Sequence, residues 1–303
     1  MKYFLIAAVL MFGAIGVAGW LKKERQTAAQ EPVVQEIALG TSSAPIPIPK
    51  ISAASSQEAL PEVDRIGQLF ALDSSALPIV ETISFTSRVP WLKDRPAWIA
   101  DYASHYQTSR HFIARSLNQK SDYLTQKVHP GDRFNVLRKD KEIKFHLLVD
   151  LSRCRMWFYA LDNNEKILLK TYRVGLGKKE GSSASGSTTP VGKYELGDKI
   201  AIYKPGVSGF FQDQKIEMMR IFGTRWLPFE KEVEGCSMPA KGFGIHGLPW
   251  IEGSDGQLVE DRSKLGKSDS DGCIRMASED IEEIFAIVIT KPTTVEIVKE
   301  FKQ

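Results

Sequence analysis

A chain of 303 residues with 43% apolar and 25% charged side chains is long enough for a medium globular domain and additional segments. Its 40 basic and 37 acidic residues leave a net charge of +3, and the one basic cluster is Lys22, Lys23 and Arg25. That balance excludes a nucleic-acid surface built on charge, so the class of partner has to come from a site. Three cysteines, Cys154, Cys236 and Cys273, exclude a fully paired disulfide scaffold and leave at least one thiol unpaired.

Residues 3–21 form one uncharged apolar stretch behind Lys2. At about 1.5 Å of rise per residue it is just long enough to cross a bilayer, and no small-x-small cleavage site follows it. Residues 1–22 are therefore expected to be a membrane anchor or signal segment. Residues 23–80 are rich in Ala, Ser, Pro and Gln, with Pro45, Pro47 and Pro49 in a polyproline-like run. Such a composition buries too little apolar surface to fold alone and predicts a disordered tether. Between 81 and 138 the pattern changes. Residues 81–87 alternate like a strand, and residues 95–106 and 109–118 carry helical spacing. Pro130-Gly131-Asp132 signals a turn, and residues 133–137 read as a closing strand.

From residue 143 the chain is strand-rich. Residues 143–151, 154–161, 166–174 and 191–196 are enriched in β-branched and aromatic side chains between turn signals. Asp162-Asn163-Asn164 makes a hairpin corner, and the Gly/Ser stretch 181–187 reads as a flexible loop. One clear helix is predicted over 278–290, opened by Ser278, Glu279 and Asp280, with Ile281, Ile284, Phe285 and Val288 as its apolar face. Residues 295–298 form a last strand. Cys154 lies in an apolar run that suits a small buried hydrophobe, and Cys236 sits in a Gly-Cys-Ser loop.

The chemistry concentrates in Gly244-Ile245-His246-Gly247-Leu248-Pro249 and in residues 265–276. A thiol becomes a good nucleophile when a nearby imidazole lowers its pKa or takes its proton. His246 ends an apolar strand-like run and is followed by Gly247. Gly272, immediately before Cys273, suits a tight turn that aims N–H groups at the oxyanion of an acyl intermediate. A lone Cys is most often core filler, and a lone His most often a satisfied polar residue. Together in this string, they point to a nucleophile and its base.

The string Ser270-Asp271-Gly272-Cys273-Ile274-Arg275-Met276, with Ile245-His246-Gly247 upstream, resembles the active-site signature of the L,D-transpeptidase catalytic (YkuD) family. Thr189-Pro190-Val191-Gly192-Lys193-Tyr194 resembles that family's Thr-Pro-x-Gly-x-aromatic strand. Phe222-Gly223-Thr224-Arg225-Trp226-Leu227 resembles its Gly-x-Arg-Trp segment. The resemblance covers roughly residues 143–299 and implies a mainly β catalytic domain over 143–303, a sandwich or barrel with a helix after the active-site loop. Residues 81–138 resemble, more weakly, a degenerate LysM module, a small α+β unit that binds N-acetylglucosamine chains. A packing subdomain would read the same.

The resemblance further implies two-step acyl transfer on peptidoglycan with no metal and no cofactor. Cys273 is the expected nucleophile, His246 its base, and the Gly247 carbonyl the group that fixes the imidazole tautomer. Ser270 and the N–H groups of Gly272 and Cys273 are expected to shape the oxyanion pocket. Arg275 either braces the loop or meets a substrate carboxylate, and Tyr203 and Trp226 either line the cleft or pack in the core. Two departures stand out: Asp271 occupies a position where the family commonly has His, and the gap from His246 to Cys273 exceeds the usual spacing. The extra residues read as a loop around 250–264 at the cleft rim. Partners are expected to be stem peptides, glycan strands and the inner membrane, with the catalytic domain in the periplasm. Lys22, Lys23 and Arg25 after the apolar span conflict with that orientation by the positive-inside rule. Water in place of an acceptor amine would make the enzyme an L,D-carboxypeptidase, and a decayed site would leave a wall-binding protein.

Overall fold

The computed structural model describes residues 60–118, 127–163, 165–179 and 188–302. The expected anchor over 1–22, most of the tether and the 181–187 loop lie outside them. Among the described residues, no helix is long and apolar enough to cross a membrane.

Residues 80–137 follow the order read from the sequence. Helix α1 (Gly67–Phe70) precedes strand β1 (Val80–Ser84), helices α2 (Ile99–His105) and α3 (Arg110–Asn118) and strand β2 (Arg133–Leu137). The strands pair antiparallel, and Phe85, Tyr102, Ile113, Phe134 and Val136 form a small core beneath the helices.

The strand-rich part is built on one mixed, nine-stranded sheet. Its strands are β3 (Ile143–Asp150), β4 (Arg155–Asp162), β5 (Glu165–Arg173), β7 (Gly192–Leu196), β8 (Ala201–Ile202), β11 (Arg225–Glu234), β12 (Gly244–Gly247), β16 (Ile274–Met276) and β17 (Thr293–Val298). Across the sheet the order is β16, β12, β11, β7, β17, β3, β4, β5, with β8 on β11. Only β12–β16 and β17–β3 are parallel. Each of those pairs needs a long connection, and α5 (Ser278–Val288) carries the chain from β16 at the sheet's edge to β17 in its middle. Its Ile281, Ile284, Phe285, Ile287 and Val288 are buried against Phe145, Phe158, Tyr172 and Ile245, so the helix and sheet share one core. Short elements decorate this frame: β6 (Leu176–Gly177) pairs with β15 (Ser268–Ser270), β9 (Ser208–Phe211) with β10 (Gln214–Glu217), and β13 (Trp250–Glu252) with β14 (Leu258–Glu260). Helix α4 (Met219–Phe222), unmarked by any sequence pattern, precedes β11.

Two expectations need correction. The tether does not extend to residue 80: Ile66, Leu69, Leu77 and Ile79 are buried in the main core. The reason is backbone pairing. Arg65 N–H donates to the Leu169 carbonyl at 2.7 Å, Thr171 N–H to the Val63 carbonyl at 2.9 Å, and Trp157 Nε1–H to the Pro61 carbonyl at 2.8 Å, so residues 61–65 cover the open edge of β5. Buried Asn135 then fastens the next turn, its Nδ2 donating to the Leu69 and Ala71 carbonyls at 2.9 and 2.6 Å. The stretch around 250–264 is likewise no open loop but the β13–β14 hairpin and a 3-10 turn at Arg262–Lys264. Glu260 reaches from it to accept the Ser278 N–H at 2.6 Å, capping α5, whose own preceding residue, Ala277, has no capping side chain.

Truncating fully buried Leu69 tests the first correction. Leu69→Ala should lower the unfolding free energy by about 2–5 kcal/mol in a urea titration, the range for a well-packed Leu. A change under about 0.5 kcal/mol, as at an exposed site, would return residues 60–80 to the tether.

Candidate active site

Cys273 leaves a turn that only glycine can make. Between β15 and β16 the chain reverses through Asp271 and Gly272, and Gly272 has φ +104°, a conformation that L side chains rarely adopt. A Cβ there would lie 2.5 Å from the Phe243 ring and 2.9 Å from the Thr188 carbonyl oxygen. The Ser270 hydroxyl closes the turn, accepting the Gly272 N–H at 3.2 Å and donating to the Cys273 carbonyl at 2.7 Å. The Gly272 N–H is thus already engaged and does not face an oxyanion. Ser270, 1% exposed, holds the loop rather than lining the cleft.

His246 reaches the same place along β12. In the parallel β12–β16 pair, Ile245 sits opposite Ile274 and His246 opposite Arg275. Extending that register one step sets Cys273 beside Gly244. Because side chains alternate, Cys273, two residues before Arg275, lies on the face that carries His246, about 6.6 Å away along the strand. That separation suits an imidazole and a thiol leaning toward one another. The imidazole is 3% exposed, and its Nδ1 lies 2.7 Å from the Gly247 carbonyl. A carbonyl only accepts, so Nδ1 carries the proton and Nε2 keeps a lone pair, as a base requires.

Burial dominates the protonation of both groups. It pushes the His246 pKa down to about 4; the Gly247 carbonyl opposes this and the Arg275 charge adds to it. Burial pushes the Cys273 thiol up to about 11, opposed by the Gly244 backbone N–H and Arg275 and assisted by Asp271. The resting pair is neutral thiol and neutral imidazole. The thiol points toward the Gly242 carbonyl, 3.7 Å from sulfur. Such a pair suits proton transfer that accompanies attack, with the imidazole in the place of a general base rather than the cationic half of a preformed ion pair.

Around the pair, Phe222 is the hub of an aromatic wall. Its ring meets His246 edge-on at 5.3 Å, Trp226 at 5.1 Å and Tyr203 at 6.0 Å, while Trp226 lies 6.0 Å from His246. Trp226 thus lines the site beside the imidazole, and Tyr203 reaches it through Phe222. Phe222 opens the Gly-x-Arg-Trp segment, but no sequence pattern marked it as a site residue, because α4 alone turns its ring inward. Arg275 is a brace: its Nη1 lies 3.2 Å from Asp269 Oδ1, and Lys264 holds the other oxygen of Asp269 at 2.9 Å. Asp271 points to solvent, 3.5 Å from Lys178. His146 is buried elsewhere, bonded through Nδ1 to Thr294 Oγ1 at 2.9 Å. Its pKa is also lowered to about 4, by burial first and then by Lys166 and Lys193. Glu296, 3.3 Å from its Nε2, would oppose that shift, but this carboxylate is 41% exposed and screened by water. All three cysteines are free thiols.

The model of one protein family, YkuD, the L,D-transpeptidase catalytic domain, matches residues 144–297, which is half of the chain and contains the whole site. The chain belongs to this family. The YkuD domain accounts for β3 to β17. No curated protein matches the chain. Among solved structures, Bd1075 of Bdellovibrio bacteriovorus is 14% identical, covering 52% of this chain and 49% of its own, with a TM-score of 0.35. The helical cell shape determining protein Pgp2 of Campylobacter jejuni is 20% identical, covering 53% and 49%, with a TM-score of 0.34. L,D-transpeptidase 1 of Mycobacterium tuberculosis is 16% identical, covering 55% and 70%, with a TM-score of 0.25. The chain spans about half the length of the first two.

A neutral, buried base has a recognisable pH signature. His246 accepts a proton only when unprotonated, so the rate of Cys273 acylation should rise with pH through about 4 and stay level across neutral pH. His246→Gln should remove that limb and slow acylation by roughly two to four powers of ten. Because His146 titrates in the same range, His146→Gln is the necessary control and should leave the limb in place. A parental limb near pH 6.5, or one that follows His146, would refute the assignment.

Proposed function

We propose that the protein is a peptidoglycan L,D-transpeptidase that joins stem peptides through their third residues by way of a Cys273 thioester. The observation that carries this reading is the parallel β12–β16 pairing, which brings the Cys273 turn to the strand of His246, with the Gly247 carbonyl fixing the tautomer. Family membership supports the substrate class. In the first step the Cys273 sulfur attacks the carbonyl carbon of the third residue while His246 Nε2 takes the thiol proton. The tetrahedral oxyanion collapses, and the amine of the terminal D-alanine leaves with the proton held by the imidazole. In the second step His246 deprotonates the amine of an acceptor stem, which attacks the thioester; the thiol regains its proton and the crosslink is released. Two modest barriers replace one direct amide exchange.

The same reading places the domain in the cell envelope, with residues 1–22 as its inner-membrane anchor and residues 81–138 holding it to glycan. The β1-α2-α3-β2 order supports the second role, as does Trp98, which is 68% exposed with the Arg95 guanidinium 5.5 Å from its ring centre. An exposed aromatic face suits the apolar face of a sugar ring.

Intact-mass spectrometry after incubation with a stem tetrapeptide should show an adduct of the peptide less its terminal residue. Cys273→Ala should show none and keep the parental circular dichroism. With tetrapeptide in excess the released product should be a crosslinked dimer; tripeptide as the only product would make the enzyme an L,D-carboxypeptidase. Trp98→Ala should reduce retention on purified sacculi several-fold in a pull-down, and unchanged retention would leave residues 81–138 as a packing unit.

A further inference from the structure

The nucleophile loop has two flanks. One faces β12, the imidazole and the aromatic wall. The other faces β6, since Ser270 pairs with Gly177 and the Arg275 backbone with Gly175. On that second flank lies a cavity of about 410 Å³. Its lining is mixed: Leu151, Leu176 and Val191 form an apolar wall, and Lys178, Lys299 and Thr189 stand at its edge. It abuts the catalytic turn directly. The Lys178 N–H donates to the Ser270 carbonyl at 3.2 Å, its Nζ lies 3.5 Å from the Asp271 carboxylate, and the Thr188 carbonyl is the atom that a side chain at Gly272 would strike.

Among the described residues, Lys178 and Lys299 are weakly paired. Lys178 has only the loose, solvent-facing pair with Asp271, and among the described residues Lys299 makes no ion pair. The neighbouring acids are used elsewhere: Asp150 is held by Ser152 and Arg153, and Glu300 by Arg153 and Lys302. The Thr189 hydroxyl, 5% exposed, accepts the Gly177 N–H at 2.7 Å, which leaves its own proton for an acceptor in the cavity. Ammonium groups and a hydroxyl donor around a cavity that abuts the catalytic turn suit a carboxylate on the molecule under attack.

We propose that this cavity is the subsite for a carboxylate of the peptide substrate, gripped by Lys178 and Lys299 with Thr189 as a further donor. The inference rests on the transpeptidase reading above and adds where the substrate's charge is read. Two carboxylates of a stem tetrapeptide have the required chemistry: the one at its C-terminus and the one on the side chain of its third residue.

The test is acylation kinetics of the full chain with the tetrapeptide and with two derivatives, one amidated at the C-terminus and one at the side-chain carboxylate. Lys178→Met and Lys299→Met should each raise KM by about five- to twenty-fold, the scale of one charge-assisted contact, with kcat within about two-fold of parent. The derivative lacking the recognised carboxylate should show that raised KM on the parent and no further loss on the variants; the other derivative should behave like the unmodified peptide. Alkylation of Cys273 by iodoacetamide reports the state of the nucleophile and should be unchanged in Lys299→Met. The salt dependence of KM should also flatten in the double variant. Parental KM in both variants, with the parent acylating normally, overturns the subsite alone. A parent that never acylates with the tetrapeptide overturns the transpeptidase reading and the subsite with it.

Discussion

The site depends on one short parallel pairing, β12 with β16. It sets His246 opposite Arg275 and brings the Cys273 turn beside the start of β12, where Phe243 packs on Gly272. The pairing is tight because backbone lies against backbone on its far side. A Cβ on Gly223 would stand 2.6 Å from the Leu248 carbonyl oxygen and 2.7 Å from the Gly247 backbone, so the segment leading into β11 presses directly on the residue after the base. The Gly247 carbonyl is thereby held where Nδ1 meets it. Glycine at these two positions is the cost of placing a histidine ring at the end of a buried strand without letting it rotate.

Burial in that position decides the chemistry. In a medium of low dielectric, neither an imidazolium nor a thiolate is well accommodated, and the Arg275 charge disfavours the first while favouring the second. The protein tempers that charge with Asp269, itself shared with Lys264. Cys273 therefore rests as a thiol. A resting thiol is also less prone to oxidation than a thiolate. Asp271 does not stand in for a second histidine, because its carboxylate faces solvent rather than the imidazole.

Peripheral segments serve the same centre from a distance. The hairpin at Trp250–Glu260 supplies Glu260 to the first turn of α5, and α5 packs its buried face beneath β12 and β16. Residues 61–65 close the edge of β5 at the other end of the sheet, where an open ladder would invite pairing with a second chain.

Much of this was legible in the residues. Alternation and β-branching marked β3, β4, β5, β7 and β17 but not the ten-residue β11; the spacing of Ile281, Ile284, Phe285 and Val288 marked α5, and a cysteine after Gly272 with a histidine before Gly247 marked the candidate nucleophile and base. These are local properties, carried by side-chain periodicity and backbone freedom within a few residues. What the residues did not show depends on partners far along the chain. Residues 60–80 look like a tether because their own composition cannot fold; they are ordered by Asn135 and by the edge of β5. Phe222 looks like any core aromatic until α4 turns it onto His246. Ser270 carries a hydroxyl suited to an oxyanion, yet its bonds to Gly272 and Cys273 commit it to the turn. Lys178 and Lys299 are unremarkable surface lysines in a list of residues, and only the β6–β15 pairing and the end of β17 bring them to one cavity. A sequence encodes which groups are available, but which of them meet is decided by register and packing, where one step of a strand exchanges the buried face for the exposed one.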